Sequence, residues 1–268
     1  MGRYAACFGA GVITEIQKSW LPGFRRSGSA DPAQTKLICF SPAGAGAGFW
    51  VPVQSALPDC DFVPVQLPGR EERFGESLWE NAESIGKAVA DAIKAEGWDS
   101  VILVGYSYGS LLAFEVASNL ERDGRSIHHL VACARRAPQR AAIASISDLS
   151  DESLIAYVNR LGGLPPELSD DPYIWEILLP VLRADFRAND NYMVSELRSP
   201  LACPISVIAG LSDAATAEGR AEAWGKYTSA RFQIEYVDGG HFFIRENLKS
   251  FVGIFEKIVK SYAYSAAV

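Results

Sequence analysis

A short apolar run in this sequence ends at a serine that two glycines bracket. Residues 101–104 read Val-Ile-Leu-Val, which is typical of a buried strand, and residues 105–109 follow at once as Gly-Tyr-Ser-Tyr-Gly. Apolar residues then recur at helical spacing over 112–120. So sharp a turn between a strand and a helix needs glycines, because a Cβ at either position would clash. The pattern predicts an α/β fold that presents Ser107 at the start of a helix.

The rest of the chain alternates short apolar runs with amphipathic stretches. Continuous apolar strands separated by helices are typical of a mainly parallel central sheet with helices on both faces. In the second predicted strand, Pro64 indicates imperfect pairing or an edge position. The other predicted strands cover residues 37–40, 62–65, 129–133, 205–209 and 232–237, and further helices are predicted at 78–96 and 248–262.

Residues from about 135 to 200 interrupt this alternation. They contain no strand candidate but two helical stretches, 151–161 and 173–192. We therefore expect a helical lid insertion above a functional site. Proline and glycine punctuate residues 1–35, which are predicted to be an irregular leader, and residues 36–268 are predicted to form a single domain.

Charge and cysteine content exclude several classes of protein. The chain has 25 basic and 32 acidic residues, a net charge of −7, which argues against nucleic-acid binding. Its 5 cysteines are scattered without a C-x-x-C pair, which argues against a disulfide framework and a zinc site. No apolar stretch reaches the roughly 18 residues of a transmembrane helix. We expect a cytoplasmic protein that binds neither nucleic acid nor membrane.

A serine hydroxyl needs a base within hydrogen-bond reach before it can act as a nucleophile. The sequence contains 3 histidines. His128 and His129 lie at the start of a predicted strand, where a surface or packing role is more common. His241 lies in a glycine loop after the last predicted strand, so we predict that it is the base for Ser107.

The histidine in turn needs a carboxylate that orients it and stabilises its protonated form. Asp213 lies just beyond the predicted strand at 205–209, and Asp238 lies shortly before His241. Asp238 is better suited to capping its own turn through its side chain. We predict that Asp213 completes a triad with Ser107 and His241.

Negative charge that develops on a substrate oxygen needs two preorganised N–H donors. One is expected from the backbone of Tyr108, and the other from the loop at residues 41–46 after the first predicted strand. Pro42 has no N–H, so Ala43 is the predicted second donor. A phosphate-binding reading of this glycine-rich loop fails, because the P-loop lysine is absent. No metal or cofactor site is predicted.

Five segments together resemble one family, the type II (editing) thioesterases of polyketide and nonribosomal peptide assembly lines. The most specific segment is Gln-Leu-Pro-Gly-Arg-Glu-Glu-Arg at residues 66–73, which is similar to the family's P-G-R-E-x-R signature. The others are residues 37–44, the lid segments at 161–165 and 179–186, and Gly-His-Phe-Phe at 240–243.

The resemblance implies an α/β-hydrolase fold with a helical lid. The implied activity is hydrolysis of acyl groups from the phosphopantetheine arm of acyl or peptidyl carrier domains, which clears misprimed or stalled units through an acyl-serine intermediate. It makes Ser107 the nucleophile, Asp213 and His241 its partners, and Ala43 and Tyr108 the oxyanion donors. Phosphopantetheine enters as part of the substrate, not as a cofactor, and the enzyme is expected to be a monomer.

The sequence departs from the family at the nucleophile, where Tyr106 and Tyr108 replace the usual histidine and methionine. We expect the Tyr108 side chain to lie near the acyl pocket. In the segment at 66–73, we expect Arg70 and Arg73 to form salt bridges with the two glutamates between them. This interpretation is favoured over contact with a carrier domain.

Other functions stay open at this point. The chain could be a standalone thioesterase that releases a finished product, a general carboxylesterase or lipase, or a non-catalytic module that docks a carrier domain. A general esterase has no reason to carry the segment at 66–73. A non-catalytic module has no reason to keep all three triad residues.

Overall fold

All six predicted strands are present, and they form one parallel sheet. The computed structural model describes residues 20–22, 35–98, 100–138, 145–195 and 198–263. Within these ranges the strand order is β2-β1-β3-β4-β5-β6, and each neighbouring pair is parallel. The strands are β1 (Lys36–Phe40), β2 (Asp61–Pro64), β3 (Val101–Tyr106), β4 (His129–Cys133), β5 (Ile205–Gly210) and β6 (Phe232–Val237). The edge position indicated by Pro64 is confirmed, because β2 lies at one end of this order.

Helices follow the strands along the chain. Short 3-10 segments occur at Ala47–Trp50, Glu71–Arg73 and Glu222–Tyr227. No described helix is long and apolar enough to cross a bilayer. The α-helices are α1 (Val51–Ala56), α2 (Ala82–Glu96), α3 (Tyr108–Arg122), α4 (Asp151–Arg160), α5 (Pro166–Ser169), α6 (Pro172–Asp190), α7 (Phe243–Glu246) and α8 (Leu248–Ala263).

The predicted helix at 78–96 begins later than expected. Its first helical residue is Ala82, because the Asn81 side chain accepts a hydrogen bond from Ser84 N at 2.7 Å and caps the helix there. The predicted leader at residues 1–35 lies outside the described residues, apart from 20–22 and residue 35. Trp20 is buried in the core.

The central strand β3 divides its side chains between two cores, as alternation along a strand requires. Leu103 packs on the face covered by α2 and α3, in the same cluster as Ile85 and Leu112. Val104 belongs to the opposite cluster, with Phe251 of α8. The predicted burial of the sheet under helices on both faces is confirmed.

The carboxyl ends of the strands meet at one edge of the sheet. Phe40 at the end of β1 pairs with Gly105 of β3, and Tyr106 at the end of β3 pairs with Cys133 at the end of β4. In parallel sheets, ligands bind outside this edge. The loops that carry the predicted site residues all leave the sheet there.

Three helices, α4, α5 and α6, lie within the segment predicted to be the lid, and its described part contains no strand. They share a small apolar core of their own. Leu154 and Val158 of α4 pack with Trp175 and Leu182 of α6. Ala43 packs against this cluster, so the lid helices contact the loop that follows β1.

Candidate active site

Ser107 occupies a strained turn between β3 and α3. Its backbone has a φ of 52° and a ψ of −116°, a conformation that costs a non-glycine residue about 1–3 kcal/mol. Ser107 N donates to Cys133 O at 2.8 Å, which anchors the turn to β4. The hydroxyl is thereby presented at the N-terminal end of α3, where backbone N–H groups favour negative charge.

The two glycines that bracket the serine are required by close packing. A Cβ on Gly105 would lie 2.3 Å from the Cα of Ser110 in α3. A Cβ on Gly109 would lie 2.2 Å from Phe40 O at the end of β1. Any side chain at either position therefore requires backbone movement. The G-x-S-x-G spacing is what allows α3 to approach both strands.

The structure brings the three predicted triad residues together. His241 Nε2 lies 2.9 Å from Ser107 Oγ, and His241 Nδ1 lies 3.0 Å from Asp213 Oδ2. The His241 side chain is 8% exposed and that of Asp213 is 2% exposed. The other carboxylate oxygen, Asp213 Oδ1, accepts Ala215 N at 2.9 Å. The alternative carboxylate, Asp238, is solvent-exposed.

Tyr106 holds the loop that carries His241. Its hydroxyl donates to His241 O at 2.8 Å, and its ring stacks on Phe242 with the centroids 6.0 Å apart. Burial raises the pKa of Tyr106 well above its ordinary value, so the hydroxyl stays protonated and remains a donor. The residue that precedes the nucleophile thus fixes the backbone of the predicted base.

The two predicted oxyanion donors lie beside the serine. Ala43, Tyr108 and Ser107 line the same cavity. Among the described residues, neither the Ala43 N–H nor the Tyr108 N–H has a hydrogen-bond partner. Both amides are therefore available to an oxygen bound next to Ser107, as a developing oxyanion would require.

The loop that carries Ala43 is held by hydrogen bonds on several sides. Ser41 Oγ donates to Gly46 O at 2.7 Å, and Ala47 N donates to Gln66 Oε1 at 3.1 Å. Gly48 N donates to the Glu71 carboxylate at 3.1 Å. The segment at 66–73 therefore preorganises this loop, a role that the sequence did not predict.

The prediction that Arg70 and Arg73 form salt bridges within the segment at 66–73 is wrong. Arg70 pairs with Asp185 of α6, with Nη1 to Oδ2 at 2.6 Å and Nη2 to Oδ1 at 3.0 Å. Arg73 pairs with Glu76 at 2.6 Å, not with Glu71 or its neighbour. Neighbouring side chains in this turn point in different directions, so Glu71 is directed to the Gly48 amide instead.

Sequence reasoning missed Asp185. It lies on the buried face of α6 together with Val181 and Ala188 and is 1% exposed. An acidic residue at a core position of an amphipathic helix requires a buried donor or cation. Had the helical periodicity of 172–190 been followed to this position, that rule would have flagged it.

A cavity of about 920 Å³ lies above the triad and under the lid helices. The Tyr108 ring borders it but is only 2% exposed, and its hydroxyl has no hydrogen-bond partner in the described chain. The apolar part of the wall includes Phe49, Leu178 and Phe186. Among the described residues, the wall has three acidic side chains and five basic ones. The acidic residues are Glu71, Asp213 and Glu246, and the basic residues are Arg135, Arg136, Arg160, Arg220 and Arg245.

Arg135 stands out among these cations. Its Nη2 donates to Asn189 Oδ1 of α6 at 2.9 Å, while its Nε lacks a partner among the described residues. Burial, with the nearby Arg136 charge, lowers the pKa of Arg135 to about 10. The described residues contain no group of three or more His, Cys, Asp or Glu side chains that could hold a metal ion.

Comparison with known proteins identifies similar chains over nearly the whole domain. The family model described as "Thioesterase domain" matches residues 35–261. The solved structure of the type II thioesterase BorB from the borrelidin biosynthetic cluster is 33% identical, with a TM-score of 0.79. The similarity covers 89% of this chain and 97% of BorB.

Two further similarities come from Streptomyces. The thioesterase RedJ, from the prodiginine pathway of Streptomyces coelicolor, is 32% identical over 95% of this chain and 99% of RedJ, with a TM-score of 0.77. A protein of Streptomyces griseus named "Probable cadicidin biosynthesis thioesterase" is 31% identical over 230 residues. That alignment covers 85% of this chain and 63% of the relative, so this chain spans less than two thirds of the relative's length.

Proposed function

Because this chain belongs to the thioesterase family, we propose that it hydrolyses acyl thioesters held on the phosphopantetheine arm of carrier domains. The predicted resemblance to type II thioesterases and the predicted α/β-hydrolase fold are both confirmed. One observation carries the proposal. A hydrogen-bonded path runs from Ser107 through His241 to Asp213, with distances of 2.9 Å and 3.0 Å, beside a large cavity.

In the first proposed step, His241 Nε2 takes the hydroxyl proton of Ser107 while Oγ attacks the thioester carbonyl carbon. The carbonyl oxygen becomes an oxyanion, which accepts hydrogen bonds from Ala43 N–H and Tyr108 N–H. As the intermediate collapses, the carbon–sulfur bond breaks and the departing pantetheine sulfur takes the proton from His241. The product of this step is an acyl ester on Ser107.

In the second step, water replaces the thiol. His241 takes a proton from the water as its oxygen attacks the acyl carbon, and the same two amides bind the new oxyanion. The bond to Ser107 Oγ then breaks, and His241 returns the proton to that oxygen. Asp213 orients the imidazole and stabilises its positive charge in both steps.

The proposed substrate carries its own phosphate, which suits the charge of the cavity. In the described part of its wall, five arginines and three carboxylates line the cavity, although the chain as a whole carries a net charge of −7. Cationic side chains at the cavity attract a phosphodiester at the base of the pantetheine arm. The arm enters as part of the substrate, and both proposed steps are carried by side chains and amides of this chain together with the hydrolytic water.

The proposed biological role is editing, which removes misprimed or stalled acyl units. Thioesterases named for cadicidin, borrelidin and prodiginine biosynthesis, to which this chain is similar, support it. The partner is then an acyl or peptidyl carrier domain, and the compartment is the cytoplasm. Free thiols at Cys39, Cys60, Cys133 and Cys203 fit a reducing compartment.

The test is release of acetyl groups from an acetyl-loaded carrier protein, with the wild type beside Ser107→Ala. We expect rapid release by the wild type and a loss of at least about 1000-fold in the variant, because no other nucleophile is activated. Both proteins are also assayed on p-nitrophenyl acetate. Fluorophosphonate labelling, followed by mass spectrometry, locates the reactive serine.

Different outcomes separate the candidate functions. Turnover of the soluble ester without release from the carrier would replace the proposed substrate with that of a general carboxylesterase. Absence of labelling and of turnover in a folded wild type would favour a non-catalytic docking module. Substantial activity in Ser107→Ala would overturn the assignment of the nucleophile.

A further inference from the structure

The lid helix α6 and the loop carrying Ala43 share one buried carboxylate. Asp185 Oδ2 accepts a hydrogen bond from Gly44 N at 2.8 Å and another from Arg70 Nη1 at 2.6 Å. Asp185 Oδ1 accepts Arg70 Nη2 at 3.0 Å, which completes a bidentate pair. Three parts of the chain, far apart in sequence, therefore meet at a single side chain.

Both side chains of the Arg70–Asp185 ion pair are buried, which restricts their geometry. Asp185 is 1% exposed and Arg70 is 7% exposed, so neither charge can exchange its partner for solvent. Burial lowers the pKa of Arg70, but the Asp185 charge and hydrogen bonds outweigh it and raise the pKa overall. A charge pair of this kind is held in one geometry, since any other leaves a buried charge uncompensated.

The anchored amide lies one residue from the predicted oxyanion donor. Ala43 N and Gly44 N belong to successive peptide planes, and two backbone dihedral angles relate neighbouring planes. Gly44 has a φ of 78°, and a Cβ there would lie 2.7 Å from Leu182 of α6. The loop is thus fitted closely against the same helix that supplies the carboxylate.

Arg70 is itself tied to the far end of the loop. Its carbonyl oxygen accepts Gln66 Nε2 at 3.0 Å, and Gln66 Oε1 accepts Ala47 N at 3.1 Å. The next residue, Glu71, accepts Gly48 N. The segment at 66–73 therefore supports the loop at one end while its arginine fixes Asp185 at the other.

We propose that Arg70 and Asp185 are positioning residues, which orient the Ala43 amide toward the reacting carbonyl and couple that orientation to the docking of α6. This inference rests on the proposed function, because it assigns the pair to the oxyanion step. Neither side chain touches the reacting atoms. Their effect on catalysis is transmitted through Gly44 N.

The test substitutes Asp185→Asn and measures kcat for each active site titrated with a fluorophosphonate, on both p-nitrophenyl acetate and acetyl-loaded carrier protein. Removing one oxyanion donor costs about 100- to 1000-fold in kcat, and a displaced donor costs less. We expect kcat per titrated site to fall about 10- to 100-fold while KM changes by less than about threefold. The affinity for a trifluoromethyl ketone, which forms an oxyanion on Ser107, falls by a similar factor.

Two further variants make the result decisive. Arg187→Gln is the matched control, since Arg187 also ties α6 to the main domain, through Glu80 at 2.7 Å, but does not contact the loop. Its kcat per titrated site stays within about twofold of the wild type. If Asp185→Asn does not fold, Asp185→Glu keeps the negative charge opposite Arg70 but adds one methylene, which displaces the oxygen that Gly44 N and Arg70 share. It too is expected to lower kcat and ketone affinity together.

A purely structural pair would give a different pattern. Melting temperature and the titratable fraction would fall, while kcat per titrated site and ketone affinity in both Asp185 variants would match the wild type. That result overturns the inference. If the wild type cleaves the ester but not the loaded carrier, the proposed substrate fails, and the ester still tests the pair.

Discussion

Gly109→Ala tests whether the close approach of α3 to β1 positions the loop at residues 41–46, which carries the predicted donor Ala43 and is called the oxyanion loop below. The new Cβ would lie 2.2 Å from Phe40 O, whereas carbon–oxygen contacts are normally about 3.3 Å. The end of β1 must therefore move by about 1 Å. Ala43 lies only three residues beyond Phe40, so this movement displaces it as well. A misplacement of about 1 Å can cost about 100-fold in rate. We expect kcat on p-nitrophenyl acetate to fall by about that factor, with about 1–3 kcal/mol lost from the free energy of unfolding.

Gly253→Ala is the matched control for this prediction. Gly253 lies in α8, and a Cβ there would meet nothing within 4 Å. Alanine in a helix is about 0.5–1 kcal/mol more favourable than glycine, so this variant is expected to be slightly more stable with unchanged kcat. Unfolding by urea and steady-state kinetics measure both quantities. A Gly109→Ala enzyme with kcat within twofold of the wild type would refute the link between this contact and the oxyanion loop.

Three other perturbations probe different parts of the site and the core. Asp213→Asn should lower kcat by about 1000- to 10,000-fold because the imidazole loses its orienting charge, whereas an equal loss in Asp238→Asn would reverse the choice of carboxylate. Tyr106→Phe removes the hydrogen bond to the His241 carbonyl and should cost about 0.5–1.5 kcal/mol of stability in chemical denaturation; an unchanged unfolding midpoint would contradict it. Burial, with a smaller contribution from a nearby arginine, lowers the pKa of His129 to about 3, so the unfolded chain binds a proton below about pH 6.5 that the folded chain excludes. Relative to His129→Gln, the wild type should lose about 1.2 kcal/mol of stability between pH 6 and pH 5, and parallel pH profiles would show that His129 is not the titrating group.

The strands and the convergence of Ser107, Asp213 and His241 at one edge of the sheet could be predicted, because the sequence signals for them are local. A run such as residues 101–104 is apolar on both faces only when both faces are buried, and the bracketing glycines of Ser107 reveal the turn. Asp213 and His241 follow strands whose carboxyl ends share one edge of a parallel sheet. Topology therefore brings them near Ser107 without any knowledge of side-chain packing.

Side-chain contacts between elements that are distant in sequence could not be predicted from local patterns. Arg70 and Asp185 are 115 residues apart, and nothing near Arg70 distinguishes a carboxylate on α6 from the adjacent Glu71. The predicted start of α2 is also wrong, because the apolar Leu78 fits the helical spacing whereas Asn81 caps the helix. In both cases a short polar contact decided between arrangements that the apolar pattern leaves equal.

The strained backbone of Ser107 bears on how such a chain changes under selection. At a φ of 52°, a glycine at this position would avoid the backbone strain. The folded state would gain roughly the 1–3 kcal/mol that such strain costs. Selection for folding alone would therefore favour drift from serine to glycine at this position. A lineage that kept this fold only as a docking scaffold would be expected to lose the hydroxyl early. A serine rather than a glycine at this strained position is therefore what the proposed role as nucleophile predicts.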